Sequence, residues 1–577
     1  MKKLSSQIKS WASQITLTQI LCFLFFTWFV TLFLVYPNFN TIKVTFFTDG
    51  HFNVDAIHKL MKSERAVRSL KNSFVLACTL TFTVNLVGIF IVLVTDYFHI
   101  AGSRILKLAY STTLIYGGVV LAASYKMVYG EFGFLTGILD GIIPDFNRSW
   151  FVGYPAVVLV MTFACTSNHI MFLSNAIKSL DYQTIEAARN MGASQWYILR
   201  RVVLPTLKPT LFALTILTFL TGLNATSAPL ILGGKQFETI TPMILAFSKS
   251  TTSRDLATFL ALALGLSTTL LLLFMIHIER RGNYMSVSKV ESKLEKQTIN
   301  NPAINLTVHA ISYLLFIIYT IPVAMTILFS FTNSQAISSA RFSLSSLTLQ
   351  NYQMVLKNMA SLKPYLVSIV YAFTASLIVM VLCLLASRLI HKYSNRLTTV
   401  LEFSLLIPWV IPSTLVAMGL IVTFNTPQPM LFNLKLGGTV FLLLTGYIII
   451  KIPFTLRMTK AVFFNLPSDL EEAGKNLGAT SLYTFIRVLL PIILPSVAGV
   501  FVLNFIALLP DYDLSIFLFS PLYKPLGIIV SENTNPQSSG DARAMALVYS
   551  VILMIISTLA LYLVNGRKNR KGKKHGY

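Results

Sequence analysis

Two aspartates, Asp511 and Asp513, interrupt the otherwise apolar stretch LLPDYDLSIFL. Ionisable side chains inside such a stretch are costly to bury, and they usually face a substrate path or a charged partner. Two carboxylates there could attract a cation, and the phenol of Tyr512 could add an oxygen ligand. The aspartates could instead cap a helix broken at Pro510 or lie at the outer membrane interface, so both interpretations stay open.

An uncharged counterpart, LNATSAPLIL, lies earlier in the chain, from Leu223 to Leu232. Pro229 in this stretch removes a backbone donor, and the backbone groups that it frees must be satisfied by protein or water. We therefore predict that the polar residues of both stretches line one central path: Asn224, Thr226, Ser227, Asp511, Tyr512 and Asp513. Lys126, near the end of another apolar run, either extends to the membrane surface or attracts an anionic ligand.

The motifs that would mark an enzyme do not occur in the sequence. No G-x-x-x-x-G-K-[ST] phosphate-binding motif is present, and Gly233-Gly234-Lys235 lacks the necessary spacing. The eight histidines form no H-E-x-x-H pattern, and no C-x-x-C pair joins the four cysteines, which are Cys22, Cys78, Cys165 and Cys383. We expect a chain that is not an enzyme and binds no cofactor itself, and we assign no metal ligands.

The elements that must position these residues are membrane-spanning helices. Hydrophobic residues make up 54% of the chain and charged residues only 12%, whereas soluble domains carry about 25% charged residues. Apolar runs near 20 residues cross a bilayer as helices. The sequence predicts an all-α polytopic membrane protein with about twelve spans, near residues 17–36, 73–94, 107–129, 150–174, 208–232, 255–277, 307–331, 366–390, 400–424, 436–458, 493–519 and 543–565.

A polar insert between these spans occurs twice. The first copy, EAARNMGASQWYILRRVVLPTLKP, begins at Glu186, and the second, EAGKNLGATSLYTFIRVLLPIILP, begins at Glu472, which is 472 − 186 = 286 residues later. The repeat predicts two homologous six-helix halves in the same orientation. We place them at residues 1–290, with an insert near 179–209, and 307–577, with an insert near 465–495, joined by a cytoplasmic linker, 291–306.

The distribution of basic residues predicts the orientation in the membrane. Lys and Arg concentrate in the inserts, in the linker and in the tail RKNRKGKKHGY, as expected for cytoplasmic segments. Both termini are therefore predicted to be cytoplasmic, although the basic segment 59–71 falls on the other side and suggests an interfacial helix. The net charge of +24 follows from this topology, and we expect contact with membrane lipid and no nucleic acid.

The inserts resemble the EAA loop of type I ABC importer permeases. The resemblance implies that a short helix in each insert docks on a cytoplasmic ABC ATPase and transmits its motion. By this similarity the ATPase-coupling residues are Glu186, Ala187, Ala188 and Gly192 in the first copy, and Glu472, Ala473, Gly474 and Gly478 in the second. Gly474 departs from the family pattern, which has alanine there, and glycine should loosen that helix slightly.

The fused two-half layout resembles the ferric-iron permeases more narrowly. This similarity implies import of ferric iron delivered by an extracytoplasmic binding protein, driven by two copies of a separate ATPase that uses ATP and Mg, in a bacterial plasma membrane. Thiamine, phosphonate and polyamine remain alternative cargoes of the same kind of permease. An ion-coupled secondary transporter is a remote alternative from another class, and it would leave Glu186 and Glu472 without a partner.

Overall fold

The computed structural model of the chain describes residues 17–48, 51–52, 55–114, 117–178, 180, 182–250, 253–281, 296–339, 342–393, 395–464, 466–467, 469–535 and 537–572. Within these ranges the chain is almost entirely helical. Among the described residues, the two short strands Phe47–Thr48 and His51–Phe52 pair in antiparallel orientation. The predicted linker is described only from residue 296, and the end of the basic tail, 573–577, lies outside the described residues.

Ten described helices are long and apolar enough to cross a membrane, which confirms the predicted fold class. Their apolar side chains are compatible with the lipid hydrocarbon, and their backbone N–H and C=O groups form hydrogen bonds within each helix. These spans are Ile20–Phe46, Glu64–Tyr97, Tyr154–Lys178, Gln195–Leu223, Arg254–Phe274, Pro302–Ser330, Met359–Tyr393, Val440–Phe464, Ser481–Leu508 and Gly540–Ala560.

The third apolar segment of each half is broken, so the described residues contain ten uninterrupted spans rather than about twelve. In the second half, helices Arg396–Val410 and Ser413–Phe424 meet at an angle of 104°. Pro412 lies at this break, where a proline removes a backbone donor and prevents a continuous helix. In the first half, the predicted span 107–129 divides into helices Ser103–Ser111 and Gly118–Tyr129.

Shorter helices connect the spans or lie on either face of the molecule. They are Asp55–Lys62, Phe134–Ile142, Tyr182–Asn190, Ile240–Ser248, Ser334–Ser339, Gln350–Lys357, Asp469–Asn476, Ser515–Leu518 and Leu526–Asn533. Wider π-helical turns occur at Val30–Val35, Leu93–Tyr97, His169–Leu173, Leu199–Val203, Pro229–Gly233 and Phe485–Leu489.

The two halves exchange their first helices. Phe26 and Leu32 of the N-terminal helix lie in one apolar core with residues of the second half, and Asn40 donates a hydrogen bond to Thr423 at 3.1 Å. Conversely, Tyr110 of the first half donates to the carbonyl of Ser312 in the helix Pro302–Ser330, at 2.7 Å. Each half therefore completes its core with the other half's first span, which holds the halves together in one body.

Candidate functional site

The repeated inserts have the same local structure in both halves. Helices Tyr182–Asn190 and Asp469–Asn476 each end just before a glycine in the left-handed region, Gly192 at φ +82° and Gly478 at φ +81°. This conformation is strained for a residue with a Cβ atom, so glycine is the residue that turns the chain here. The glycine lies at the same position in both copies because only glycine adopts this backbone conformation without strain.

A second short helix follows each glycine and begins with a side-chain cap. The hydroxyl of Ser194 accepts from the backbone N–H of Tyr197, and that of Thr480 accepts from Tyr483, both at 3.3 Å. The helix then widens into the π-helical turn Leu199–Val203 or Phe485–Leu489, at equivalent repeat positions. Such turns are frequent at functional sites.

Most of the predicted coupling residues face solvent. Glu186, Ala187, Glu472 and Ala473 are exposed, whereas Ala188 is buried against the following helix. In the second copy, Gly474 occupies the position of Ala188 for a steric reason. A Cβ atom at position 474 would lie 2.7 Å from the Thr484 hydroxyl oxygen. The Thr484 side chain therefore leaves room for glycine but not for alanine at this position.

Sequence reasoning missed the most exposed apolar side chains of the inserts. Met191 is 82% exposed and Leu477 is 87% exposed, and they are equivalent in the repeat, one position before each glycine. A large apolar side chain held at a helix end in this way is suited to insert into a partner. Both residues lie five positions after the repeated glutamate, Glu186 or Glu472, so the repeat in the sequence could have identified them as an equivalent pair.

The two inserts are held by different contacts. In the second half, Arg388 of the span Met359–Tyr393 forms a bidentate ion pair with Glu471, and its Nη2–Oε2 distance is 2.9 Å. This guanidinium holds the pKa of the Glu471 carboxyl below its usual value. In the first half, Arg189 donates instead to the side chain of Gln297, a residue of the linker between the halves.

The linker also bonds to the rest of the first half. Gln297 exchanges backbone hydrogen bonds with Tyr97 and His99, both at 2.8 Å, and Lys296 donates to the carbonyl of Thr95 at 2.6 Å. Gln195, in the short helix after Gly192, donates to the carbonyl of Thr298. The linker therefore fixes the first insert, whereas an ion pair to a membrane span fixes the second.

A central cavity of about 410 Å³ lies between the halves. Among the residues predicted to line a path, Asn224, Thr226, Ser227 and Asp513 lie in its wall. The hydroxyl of Ser227 donates to the Asp513 carboxylate, which joins the first half to the second. The broken third segments reach this cavity as well, through Gly118 and the residues around Pro412.

The structure does not bring the other two predicted path residues into this wall. Asp511 Oδ2 accepts from the backbone N–H of Ser515 at 3.0 Å, and Asp511 also interacts with Tyr447 and Lys451. The phenol of Tyr512 accepts from Ser531 at 3.1 Å. Lys451, which was not predicted, was detectable as the charged residue within the apolar run YIIIKIPF.

No group of three or more His, Cys, Asp or Glu side chains suited to a metal ion occurs among the described residues. Asp511 and Asp513 are engaged by different partners, Ser515 and Ser227. The acidic residues of this region therefore do not form one ligand set, and among the described lining residues Asp513 is the one that offers a carboxylate to the central cavity.

A second cavity, of about 470 Å³, opens on the face opposite to the inserts, here called the outer face. We call it the outer cavity. Its wall combines the end of helix Gly118–Tyr129 with the residues that precede and begin the last span. Residues 224–228 line the central cavity and residues 230–232 line the outer one, so this segment separates the two.

Comparison with known proteins gives one family for both halves. The family described as "Binding-protein-dependent transport system inner membrane component" matches residues 60–283 and 384–571. The chain is 37% identical over 541 residues to the "Probable ABC transporter permease protein y4fN" of Sinorhizobium fredii, and the match covers 94% of each chain.

More distant relatives carry more specific descriptions. The chain is 22% identical over 535 residues to the "Ferric transport system permease protein FbpB" of Actinobacillus pleuropneumoniae, covering 91% of this chain and 75% of that one. It is 22% identical over 209 residues to the "Putative 2-aminoethylphosphonate transport system permease protein PhnV" of Salmonella paratyphi A, covering 36% of this chain and 76% of that one.

Proposed function

This chain belongs to the family of binding-protein-dependent transport system inner membrane components and is an ABC transporter permease, and we propose that its cargo is ferric iron. The observation that carries this proposal is the extent of similarity to a permease described as ferric, which runs through both halves over 535 residues. The relative described for 2-aminoethylphosphonate covers only 36% of the chain. Asp513 adds chemical support, because carboxylate oxygens attract hard cations.

We propose that the inserts couple transport to ATP hydrolysis by two copies of a cytoplasmic ATPase, which uses ATP and Mg. Support comes from the paired helices that end at Gly192 and Gly478, and from the exposed apolar side chains Met191 and Leu477. The bacterial plasma membrane is then the site of action, with the inserts and both termini in the cytoplasm and a cargo-loaded binding protein on the outer face.

We propose that the chain transports its cargo by alternating access. Closure of the ATPase pair moves the two inserts, and the halves rock about the contact between Ser227 and Asp513. The cargo passes from the outer cavity to the central cavity when the intervening segment 224–234 moves. This conformational change requires only that the ATPase and the binding protein each bind one of the two conformations of the permease more tightly than the other.

Uptake of radiolabelled ferric iron by cells with and without the gene tests this function, with other iron systems removed and iron limiting. We expect deletion to remove iron uptake, and unlabelled thiamine, 2-aminoethylphosphonate and spermidine not to compete. Unchanged uptake would reject iron as cargo. Loss of uptake when the ion gradient is collapsed with ATP maintained would favour an ion-coupled transporter instead.

A further inference from the structure

The outer cavity contains two cationic side chains from different halves. Lys126 lies at the end of helix Gly118–Tyr129, and Arg543 lies in the first turn of the last span. Within the described residues, no ion pair joins either of them to a carboxylate. The Nε atom of Arg543 is buried and has no hydrogen-bond partner in the part of the chain that the structure describes.

The carboxylates of the same wall do not neutralise these cations. Glu532 is engaged by Lys524, whose ammonium lies 2.8 and 2.9 Å from its two oxygens. Glu131 is the other lining carboxylate among the described residues, and it also borders a neighbouring cavity. The wall itself carries two cations and two carboxylates. Because Lys524, from outside the wall, pairs with Glu532, Lys126 and Arg543 are left with Glu131 as the remaining lining carboxylate among the described residues, an excess of one positive charge.

A third cation contacts a residue in the wall of the central cavity. The guanidinium of Arg457 lies over the indole of Trp409, 4.2 Å from the ring centroid, and Trp409 lines the central cavity. No ion pair to Arg457 occurs in the described part of the chain. Arg457 is not itself a lining residue of the central cavity, so of the two cavities only the outer one has unpaired cations in its described wall.

We propose that the outer cavity is a binding site for an anionic group of the cargo, one that presents carboxylate or phosphate oxygens to Lys126 and Arg543. The inference rests on the proposed role of the chain as an importer, and it implies that iron enters together with an anion. A guanidinium can bind two oxygens of such a group through parallel hydrogen bonds, and an ammonium adds a point charge. Burial in a cavity between protein walls strengthens both interactions.

The contribution of both halves gives this site a further property. Lys126 belongs to the first half and Arg543 to the second, so an anion that bridges them holds the halves in one relative position. When the halves move, the two cations separate and the site loses affinity. Binding and release of the anionic group would therefore follow the transport cycle.

The test is calorimetric titration of the purified full-length chain in lipid nanodiscs with citrate and, separately, with inorganic phosphate. We expect one or both to bind the wild-type chain, and Lys126→Met and Arg543→Gln each to weaken binding by about tenfold or more, as expected for a hydrogen bond to a charged group. Arg543→Lys, which keeps the charge without the planar guanidinium, should lose less. The matched control is Lys249→Met, which removes a charge from an exposed residue of the same face outside the cavity.

Absence of both citrate and phosphate binding by the wild-type chain would overturn the proposal, and so would equal anion binding by wild type, Lys126→Met and Arg543→Gln. Thermal unfolding of each variant distinguishes a lost site from a damaged fold. The titration contains no iron, so its outcome is independent of the uptake assay. Iron uptake without anion binding rejects only the site, and anion binding without gene-dependent iron uptake rejects only the cargo.

Discussion

Ser227 and Asp513 are hydrogen-bonded to each other, and they occupy the same position in the two copies of the repeat, 286 residues apart. A contact between equivalent residues lies where the pseudo-two-fold relation brings the halves together. Both residues also line the central cavity. The two halves therefore place equivalent residues at this point, but these residues differ in charge, since Asp513 of the second half carries a carboxylate and Ser227 of the first half does not.

Replacing Asp513 by asparagine removes the charge and keeps an oxygen that can accept from Ser227. We expect Asp513→Asn to lower the initial rate of labelled ferric-iron uptake by about tenfold or more, because a carboxylate binds a hard cation far better than an amide does. Ser227→Ala keeps the charge and should have a smaller effect. Equal loss in both variants would instead assign the effect to the contact between the halves.

Charged residues at the exposed ends of the coupling helices should break the contact with the ATPase. We expect Met191→Asp combined with Leu477→Asp to abolish co-purification of the ATPase, because burying an unpaired carboxylate in an apolar pocket is unfavourable. Phe432→Asp is the matched control, since Phe432 is 92% exposed but lies outside the inserts. Retained ATPase in the double variant would contradict the assignment.

The glycines after the coupling helices should resist replacement. Valine at Gly192 and Gly478 would require a β-branched residue at φ near +80°, which is strongly disfavoured. We expect the Gly192→Val, Gly478→Val variant to insert normally in the membrane but to lose uptake and stimulation of ATP hydrolysis. Both quantities can be measured in the same vesicles, and full activity there would show that the turn is not needed for coupling.

Thermal stability should depend on pH through the pair of Glu471 and Arg388. Because Arg388 lowers the pKa of Glu471 in the folded state, the pair stabilises the fold above the ordinary glutamate pKa, and this contribution is lost as the pH falls through the lowered pKa. We expect wild type to unfold at a higher temperature than Arg388→Gln at pH 7, and the difference to shrink below about pH 4. A difference independent of pH would argue against the ion pair as its cause.

The exchanged first helices should allow the two halves to assemble when they are made as separate chains. We expect residues 1–290 and 291–577 to co-purify, because Tyr110 and the helix Pro302–Ser330 remain in contact across the cut. When Gln297→Ala and Gln195→Ala are introduced into these separate halves, we expect the assembled protein to stimulate ATP hydrolysis less, since the two side chains connect the linker to the first insert. Co-purification can be followed with a tag on one half. Failure of the halves to associate would show that the covalent linker is required.

The sequence by itself determined the membrane class, the two inserts and their internal geometry. Hydropathy and the position of glycine act over one or two helical turns, so Gly192 and Gly478 could be assigned their turn from sequence neighbours alone. The exposed pair Met191 and Leu477 was accessible in the same way, through the repeat.

Only the tertiary structure decided which polar residues meet. Asp511, Tyr512 and Asp513 are consecutive, yet they bond to Ser515, Ser531 and Ser227, because they lie in an irregular segment between two helices, where packing sets each side-chain direction. The pairing of Lys126 with Arg543 in one cavity joins residues more than 400 positions apart. Such contacts depend on how the halves interlock, and no local pattern of residues records that arrangement.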